Sequence, residues 1–374
     1  MRRSVIAKIP AFCFETIRIA TGGFPASGQD GILMTGQDDR EALRRETNIS
    51  ASGETALLPS CILLLIFSLF SLFTPISANA QLLHKSPLRI PVRVTGPSLV
   101  IVPVMMNRRG PYDFLLDTGS SVTMVDEKFA EEVGLSLSGR TTIVSIQGGE
   151  ATMFTAEAGI VSIAGAQVDQ LTIGVVKSFA SVPVKVRGVL GEDFLRNFDL
   201  LLDYRHHFLQ FDSNLGSLAE MLTGERVPVS LVGRDHLATI SNRLILTTRI
   251  RDLTHHQVKL LLDTGTNVLV LHGPQLQLPV TRDNSVYAAG NSVSSAIIMA
   301  GSWQRTGFVE IGDRTSVYDP PTVVISVRRT SDVDGLLLAF IFHSIFISHS
   351  GEFVILNPVI RPTTSQTDHH GATK

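Results

Sequence analysis

Two cysteines, Cys13 and Cys61, are all that the 374-residue chain contains, and both precede or open its one long apolar run. Beyond them the chain can form no disulfide and offers no thiolate nucleophile. Charge of either sign is also short of an excess: 32 Lys and Arg stand against 34 Asp and Glu, a formal net charge of -2. No basic stripe alternates with aromatics, which make up only 6% of residues, and nucleic-acid binding is excluded on that ground. The histidines His206-His207, His255-His256 and His369-His370 are adjacent pairs rather than ligands spaced along a helical face, so they read as surface residues and no metal site is expected. There is no Gly-rich phosphate loop and no Gly-x-Ser-x-Gly elbow, and nothing implies a cofactor.

What remains is a chain with 44% hydrophobic and 18% charged residues, enough to bury a large core in about two domains. One segment, LLPSCILLLIFSLFSLFTPISANA at 57–80, is able to enter a bilayer. Its apolar core at 57–76 and the small-x-small Ala78-Asn79-Ala80 read as a signal peptide within an N-terminal extension of residues 1–80, with cleavage leaving Gln81 first. Glu54 beside the core and the long stretch before it fit a retained membrane anchor, or a translation start nearer the core. Either way, residues 81 onward are expected outside the cytoplasm: periplasmic, extracellular or membrane-anchored.

The rest of the chain repeats. FLLDTGSSVTMV at 114–125 returns as LLLDTGTNVLVL at 260–271, each an apolar run interrupted by one acid, Asp117 or Asp263. Gly188-Val189-Leu190-Gly191 follows the first acid at nearly the distance at which Gly335-Leu336-Leu337-Leu338 follows the second. NFDLLLDYRHHFLQF and SIFISHSGEFVILNP then close the two copies with a hairpin pattern. Short β-branched runs between Gly, Asn, Asp and Pro clusters predict an all-β chain, with helix-compatible stretches only at 127–133, 194–198 and 215–222. The lobes are expected at 88–214 and 226–360, joined by a linker at 215–225 and followed by a disordered tail at 361–374. A lone Asp beside Thr and Gly is an ordinary turn. A turn, however, does not require Leu-Leu before it and alternating aliphatics after it in both copies.

The two acid motifs, each followed at a distance by a Gly-Val-Leu-Gly or Gly-Leu-Leu-Leu segment, resemble the aspartic protease superfamily. The single-lobe length is similar to retropepsin-like domains of bacterial type. The resemblance implies two retropepsin- or pepsin-like closed β-barrel lobes in tandem, related by a pseudo-twofold axis, with few short helices. It also implies a polypeptide substrate and a monomer that contains its own pseudo-dimer. Peptide hydrolysis without a metal or covalent intermediate needs one group to take a proton from water while another gives one to the carbonyl oxygen. Two adjacent carboxylates, Asp117 and Asp263, share a proton and do both. Gly119 and Gly265 are expected to let the backbone turn sharply, and Ser120 and Thr266 to donate to the carboxylates. By resemblance, Thr118 and Thr264 hydrogen-bond across the junction between lobes.

A flap over the substrate is expected at SIQGGE, residues 145–150, through Gln147, Gly148 and Gly149, with YAAGNS at 287–292 as its counterpart through Ala289 and Gly290. Gly-Gly is equally an ordinary hairpin turn. The sequence departs from the family pattern where Leu338 replaces the equivalent of Gly191, which predicts a distorted second lobe. The alternative reading is therefore a catalytically impaired peptide-binding module at a membrane surface.

Overall fold

The computed structural model describes residues 17–18 and 88–361, apart from 97, 145–149, 180–181, 183, 213–215, 235–238, 252, 254–256, 279–284, 292–295 and 327–331. The apolar core at 57–76 and the flap residues Gln147, Gly148 and Gly149 lie outside the described residues. From residue 88 onward, all described residues belong to one compact unit. Among the described residues, no helix is long and apolar enough to cross a membrane.

Among the described residues the fold is all-β with four short helices. After a two-residue strand at Ile17–Arg18 (β1), the first half runs through Arg89–Pro91 (β2), Arg93–Thr95 (β3), Leu99–Met106 (β4), Arg109–Leu116 (β5), Met124–Asp126 (β6) and helix Glu127–Val133 (α1). It continues with Leu137–Val144 (β7), Glu150–Ile163 (β8), Ala166–Val176 (β9), Gly188–Leu190 (β10), Glu192–Leu195 (α2), Leu200–Asp203 (β11) and Phe208–Phe211 (β12). The connection holds Ser217–Met221 (α3) and Leu222–Thr223 (β13). The second half comprises Arg226–Arg234 (β14), Thr239–Ile250 (β15), Gln257–Asp263 (β16), Leu269–His272 (β17), Gly273–Leu276 (α4), Ser285–Asn291 (β18) and Ala296–Gln304 (β19). It ends with Phe308–Glu310 (β20), Ser316–Tyr318 (β21), Thr322–Ile325 (β22), Gly335–Leu338 (β23), a 3₁₀ turn at Ala339–Ile341, Ser344–Ser348 (β24), Phe353–Leu356 (β25) and Val359–Ile360 (β26).

In the first half, β5 leads into Asp117 and the chain returns as β6. Strand β10 lies between the two, parallel to β5 with Leu190 opposite Leu116, and antiparallel to β6. The second half repeats this with β16, β17 and β23, where Leu337 stands opposite Leu262. Leu116 and Leu262 are fully buried, each worth about 1.5–3 kcal/mol of transfer energy, so the strand ends that carry the acids are anchored. After β6, Asp126 accepts from the Phe129 N–H at 2.8 Å and caps α1, which ends on Gly134 in the left-handed region at φ 74°.

The halves meet in a run of six antiparallel strands, β14–β25–β24–β11–β12–β2. Its centre is the pairing of Leu201 with Phe346. Side chains alternate across this sheet: Leu200, Leu202, Leu209, Ile345, Ile347 and Val354 enter the main core. Leu201, Phe208, Phe346 and Ile355 form a separate cluster on the far face with Leu218 and Leu222. The connection expected as a free linker is structured, because β13 pairs with β26 and α3 packs on this far face. The helix expected at 194–198 starts earlier, at Glu192. The halves also agree away from the acids: β4 pairs with the end of β8, and β15 pairs in the same way with β20.

Candidate active site

Each acid stands where its strand ends and the loop begins. The Asp117 N–H donates to Leu190 O at 3.0 Å, which ties the first loop to β10. The Gly119 N–H then donates to Asp117 Oδ1 at 2.9 Å, and the Gly265 N–H to Asp263 Oδ1 at 2.6 Å, so each carboxyl is held by its own loop. The two loops grip one another. The Thr118 N–H donates to Thr264 Oγ1 at 3.0 Å and the Thr264 N–H to Thr118 Oγ1 at 3.1 Å. Each hydroxyl in turn donates a hydrogen bond to the opposite strand, Thr118 Oγ1 to Leu262 O and Thr264 Oγ1 to Leu116 O, both at 2.8 Å. Four buried hydrogen bonds thus fix the separation of the loops, and the two carboxyls lie within hydrogen-bonding reach of one another.

Both acids are fully buried. Burial is the largest influence lifting the Asp117 pKa well above the ordinary carboxylate value, and the charge of Asp263 adds to it. The N–H groups of Gly119 and Ser120 pull the other way but do not offset these effects. Asp117 Oδ2 has no hydrogen-bond partner among the described residues. A pair in which one carboxyl keeps its proton while the other is ionised can take up and release a proton at the same place.

Residues 102–194 match the family model for aspartyl proteases. Over these residues the chain is similar to aspartyl proteases. The match spans the first acid loop through α2 and stops before the second half. Among solved structures the chain is similar to a retropepsin-like aspartic protease from Rickettsia conorii, at 17% identity over 33% of this chain and 89% of that one, with a TM-score of 0.26. No curated protein matches.

Two expectations from the sequence need correction. Ser120 and Thr266 do not donate to the carboxylates; Ser120 Oγ donates to Val122 O at 2.7 Å and Thr266 Oγ1 to Val268 O at 3.0 Å, each closing a short turn of its own loop. The chain does turn at Gly119, where the Ser120 N–H closes back on Asp117 O at 3.3 Å, but neither Gly119 nor Gly265 has a positive φ. They are needed for close approach instead: a Cβ on Gly119 would lie 2.6–2.8 Å from the Asp263 carboxyl, and one on Gly265 2.8–3.0 Å from that of Asp117. Ala289 and Gly290 are not at a hairpin tip but inside β18, opposite Ile298 and Ile297 of β19. A ladder of backbone hydrogen bonds holds them there, and the tip itself falls at 292–295, outside the described residues.

The halves differ behind the loops. In the first, the Thr123 N–H and hydroxyl both donate to Asp193, the latter at 2.6 Å, and the Gly191 N–H donates to Thr123 Oγ1 at 3.1 Å. Burial nevertheless lifts the Asp193 pKa to about 6. At the equivalent positions the second half has Leu269, within the apolar core, and Phe340, half-buried against it. A Cβ on Gly191 would lie 2.5 Å from the carbonyl carbon of Val122, whereas Leu338 is accommodated and fully buried. Strand β23 is one residue longer than β10, and a 3₁₀ turn takes the place of α2.

Three further residues near the site escaped the sequence reading. Tyr204, directly after β11, is buried with its hydroxyl unpartnered among the described residues. Burial, then the charges of Asp263 and Asp117, raise its pKa above the ordinary phenol value. Glu192, whose N–H donates to Ser120 O at 2.8 Å, receives His349 of the second half at 2.8 Å. Both side chains are almost fully enclosed, and His349 Nδ1 faces Phe198 O at 2.7 Å. The signal available in the sequence was slight: one acid after Gly191 and one His in the closing hairpin, with no spacing to join them.

Proposed function

We propose that the chain is an exported aspartic endopeptidase, built as two closed β-barrel lobes in tandem, in which Asp117 and Asp263 activate one water between them. The observation that carries this reading is the reciprocal threonine grip, which brings an acid from each half into mutual contact. The ionised carboxyl takes a proton from the water as its oxygen attacks the scissile carbonyl carbon, and the protonated one gives its proton to the carbonyl oxygen. Proton transfer to the amine nitrogen then lets the C–N bond break. One chain supplies both acids, so the working form is a monomer whose substrate is a polypeptide. Export is supported by the apolar core at 57–76 and by Ala78-Asn79-Ala80.

The test is hydrolysis of an unfolded protein by the purified chain from about pH 3 to 7, where carboxylate pairs work, with an inhibitor of the pepstatin type. Cleavage that the inhibitor stops and that Asp117→Asn and Asp263→Asn each abolish is the expected result. Leu338 at the position of Gly191 and the apolar replacement of the Thr123–Asp193 bonds favour a second reading, a peptide-holding module without turnover. Retention of peptides with no cleavage, unchanged by either Asp→Asn substitution, would select it.

A further inference from the structure

The far face of the six-stranded junction is only partly covered. Helix α3 and strands β13 and β26 lie over Leu201, Phe346 and Ile355, and beside them an open cavity of about 530 Å³ is lined by Arg89, Arg205, His206, Phe208, His343 and Val359. It borders a second cavity of about 350 Å³ along Leu218 and Met221. Large apolar side chains stand in solvent around this face: Leu88 is 61% exposed, Met221 47%, Val359 64% and Ile360 49%. Such clustering, unlike scattered single residues, marks a surface that meets something apolar.

The charges around this face are mainly of one sign. Arg89 and Arg226, at matching positions in the two halves, lay their guanidinium groups over Phe208 and Phe353 at 4.5 and 4.7 Å. Arg205 and Arg361 are exposed nearby. Of the acids, Asp203 is paired with His206 at 2.8 Å, and Glu225 is taken up by the N–H groups of Asp313 and Arg314; Glu220 on α3, Asp313 and Glu352 are exposed. An apolar patch within a basic surround has the composition of a face that lies against anionic lipid.

The chain itself leads there. The apolar run ends by residue 80, and QLLHKSP, seven residues, connects it to Leu88 at the edge of this face. Fully extended, seven residues span at most about 25 Å. We infer that the far face of the junction sheet rests on an anionic lipid surface, with Leu88, Met221, Val359 and Ile360 at the interface and Arg89, Arg205, Arg226 and Arg361 facing headgroups. Leu200 and Leu202, on the opposite face of the same sheet, share a core with the acid-bearing strand ends, so the dyad is turned away from the lipid. The inference rests on the apolar run remaining in the membrane, and not on peptidase activity.

The experiment uses the full chain with Cys13→Ser and Cys61→Ser, given a single fluorophore through either Val359→Cys or Phe308→Cys; Phe308 is likewise exposed, at 53%, but lies in β20. Each protein is reconstituted into phosphatidylcholine vesicles with and without phosphatidylserine, carrying lipids with a quencher near the headgroup. The expected result is quenching at 359 several-fold stronger than at 308, dependent on phosphatidylserine and lost with Arg89→Glu plus Arg205→Glu. Equal quenching at both sites, or none at 359, overturns the inference. So does shielding of the 359 label from aqueous iodide without vesicles: relief on removing residues 362–374 would name the chain's own tail as the occupant, and dependence on protein concentration a second copy.

Discussion

Asp117 and Asp263 are buried side by side at an energetic cost that only function repays, and their protonation links chemistry to stability. Because the Asp117 pKa is raised in the folded state, the native protein holds a proton that the unfolded chain releases above about pH 4. Stability attributable to this group is therefore highest in acid and falls as pH rises toward the folded pKa. Asp117→Asn removes that dependence, so its unfolding free energy at pH 7 is expected to exceed that of the parent, by on the order of 1 kcal/mol or more, and the gap should close at about pH 4. Calorimetry across pH measures it, and a variant less stable at pH 7 would contradict the assignment. The threonines behave oppositely. Thr118→Val deletes a hydroxyl that both accepts from the Thr264 N–H and donates to Leu262 O, leaving two buried groups unpaired at about 1–3 kcal/mol each. Thr118→Ser keeps both bonds and is expected to restore most of the stability, as denaturant titration of the three proteins would report. Gly119→Ala places a methyl against the Asp263 carboxyl, so activity should fall 100-fold or more while the fold survives, the cost of displacing a catalytic group by about 1 Å.

Among elements, α2 and the β24–β25 hairpin matter most, because they couple the halves behind the first acid loop. Glu192 and His349 form a buried pair at 2.8 Å, while Asp199 accepts from Ser348 Oγ, Ser350 N and Ser350 Oγ within 3.0 Å. Burial alone would lower the His349 pKa, but the charge and hydrogen bond of Glu192, the carbonyl of Phe198 and the charge of Asp199 together raise it above 6.5. A raised histidine pKa contributes stability that is complete below pH 6.5 and disappears as pH climbs through the folded value. His349→Gln is accordingly expected to cost about 3–5 kcal/mol at pH 5.5, the usual penalty for orphaning one member of a buried pair, and clearly less at pH 8.5. Urea unfolding at the two pH values checks this, and an equal loss at both would rule out the charged pair. These elements also mark what the sequence disclosed. The repeat around Asp117 and Asp263, the closing hairpins and α1 were legible because each is written in local periodicity or capping. The Glu192–His349 pair and the position of Ala289 and Gly290 were not, because they depend on which segments meet across more than 100 residues or on a register set by tertiary pairing.

At the scale of the whole molecule, the six-stranded junction decides whether the dyad belongs to one chain. It takes β2, β11 and β12 from the first half and β14, β24 and β25 from the second, with Leu201 opposite Phe346 at its centre. That near-symmetry leaves a rival arrangement, in which first halves of two chains pair with each other and each contributes Asp117. The side chains at the junction oppose it. Asp199 accepts from Ser348 and Ser350, and Glu192 is paired with His349; a second first half would place Asp203, Tyr204 and Arg205 where Ser348, His349 and Ser350 stand and set a carboxylate in place of the hydroxyl that donates to buried Asp199. Exchange between chains would also have to break the central ladder. Mixing the inactive Asp117→Asn and Asp263→Asn proteins is therefore expected to restore no hydrolysis, even after long incubation at high concentration. In the parent, activity should rise linearly with enzyme concentration, as for a site complete in a monomer. Recovery of activity on mixing would mean that halves are swapped between chains. An Asp263→Asn protein that kept most of its activity, with rate rising as the square of concentration, would mean that two copies of the first half make the site.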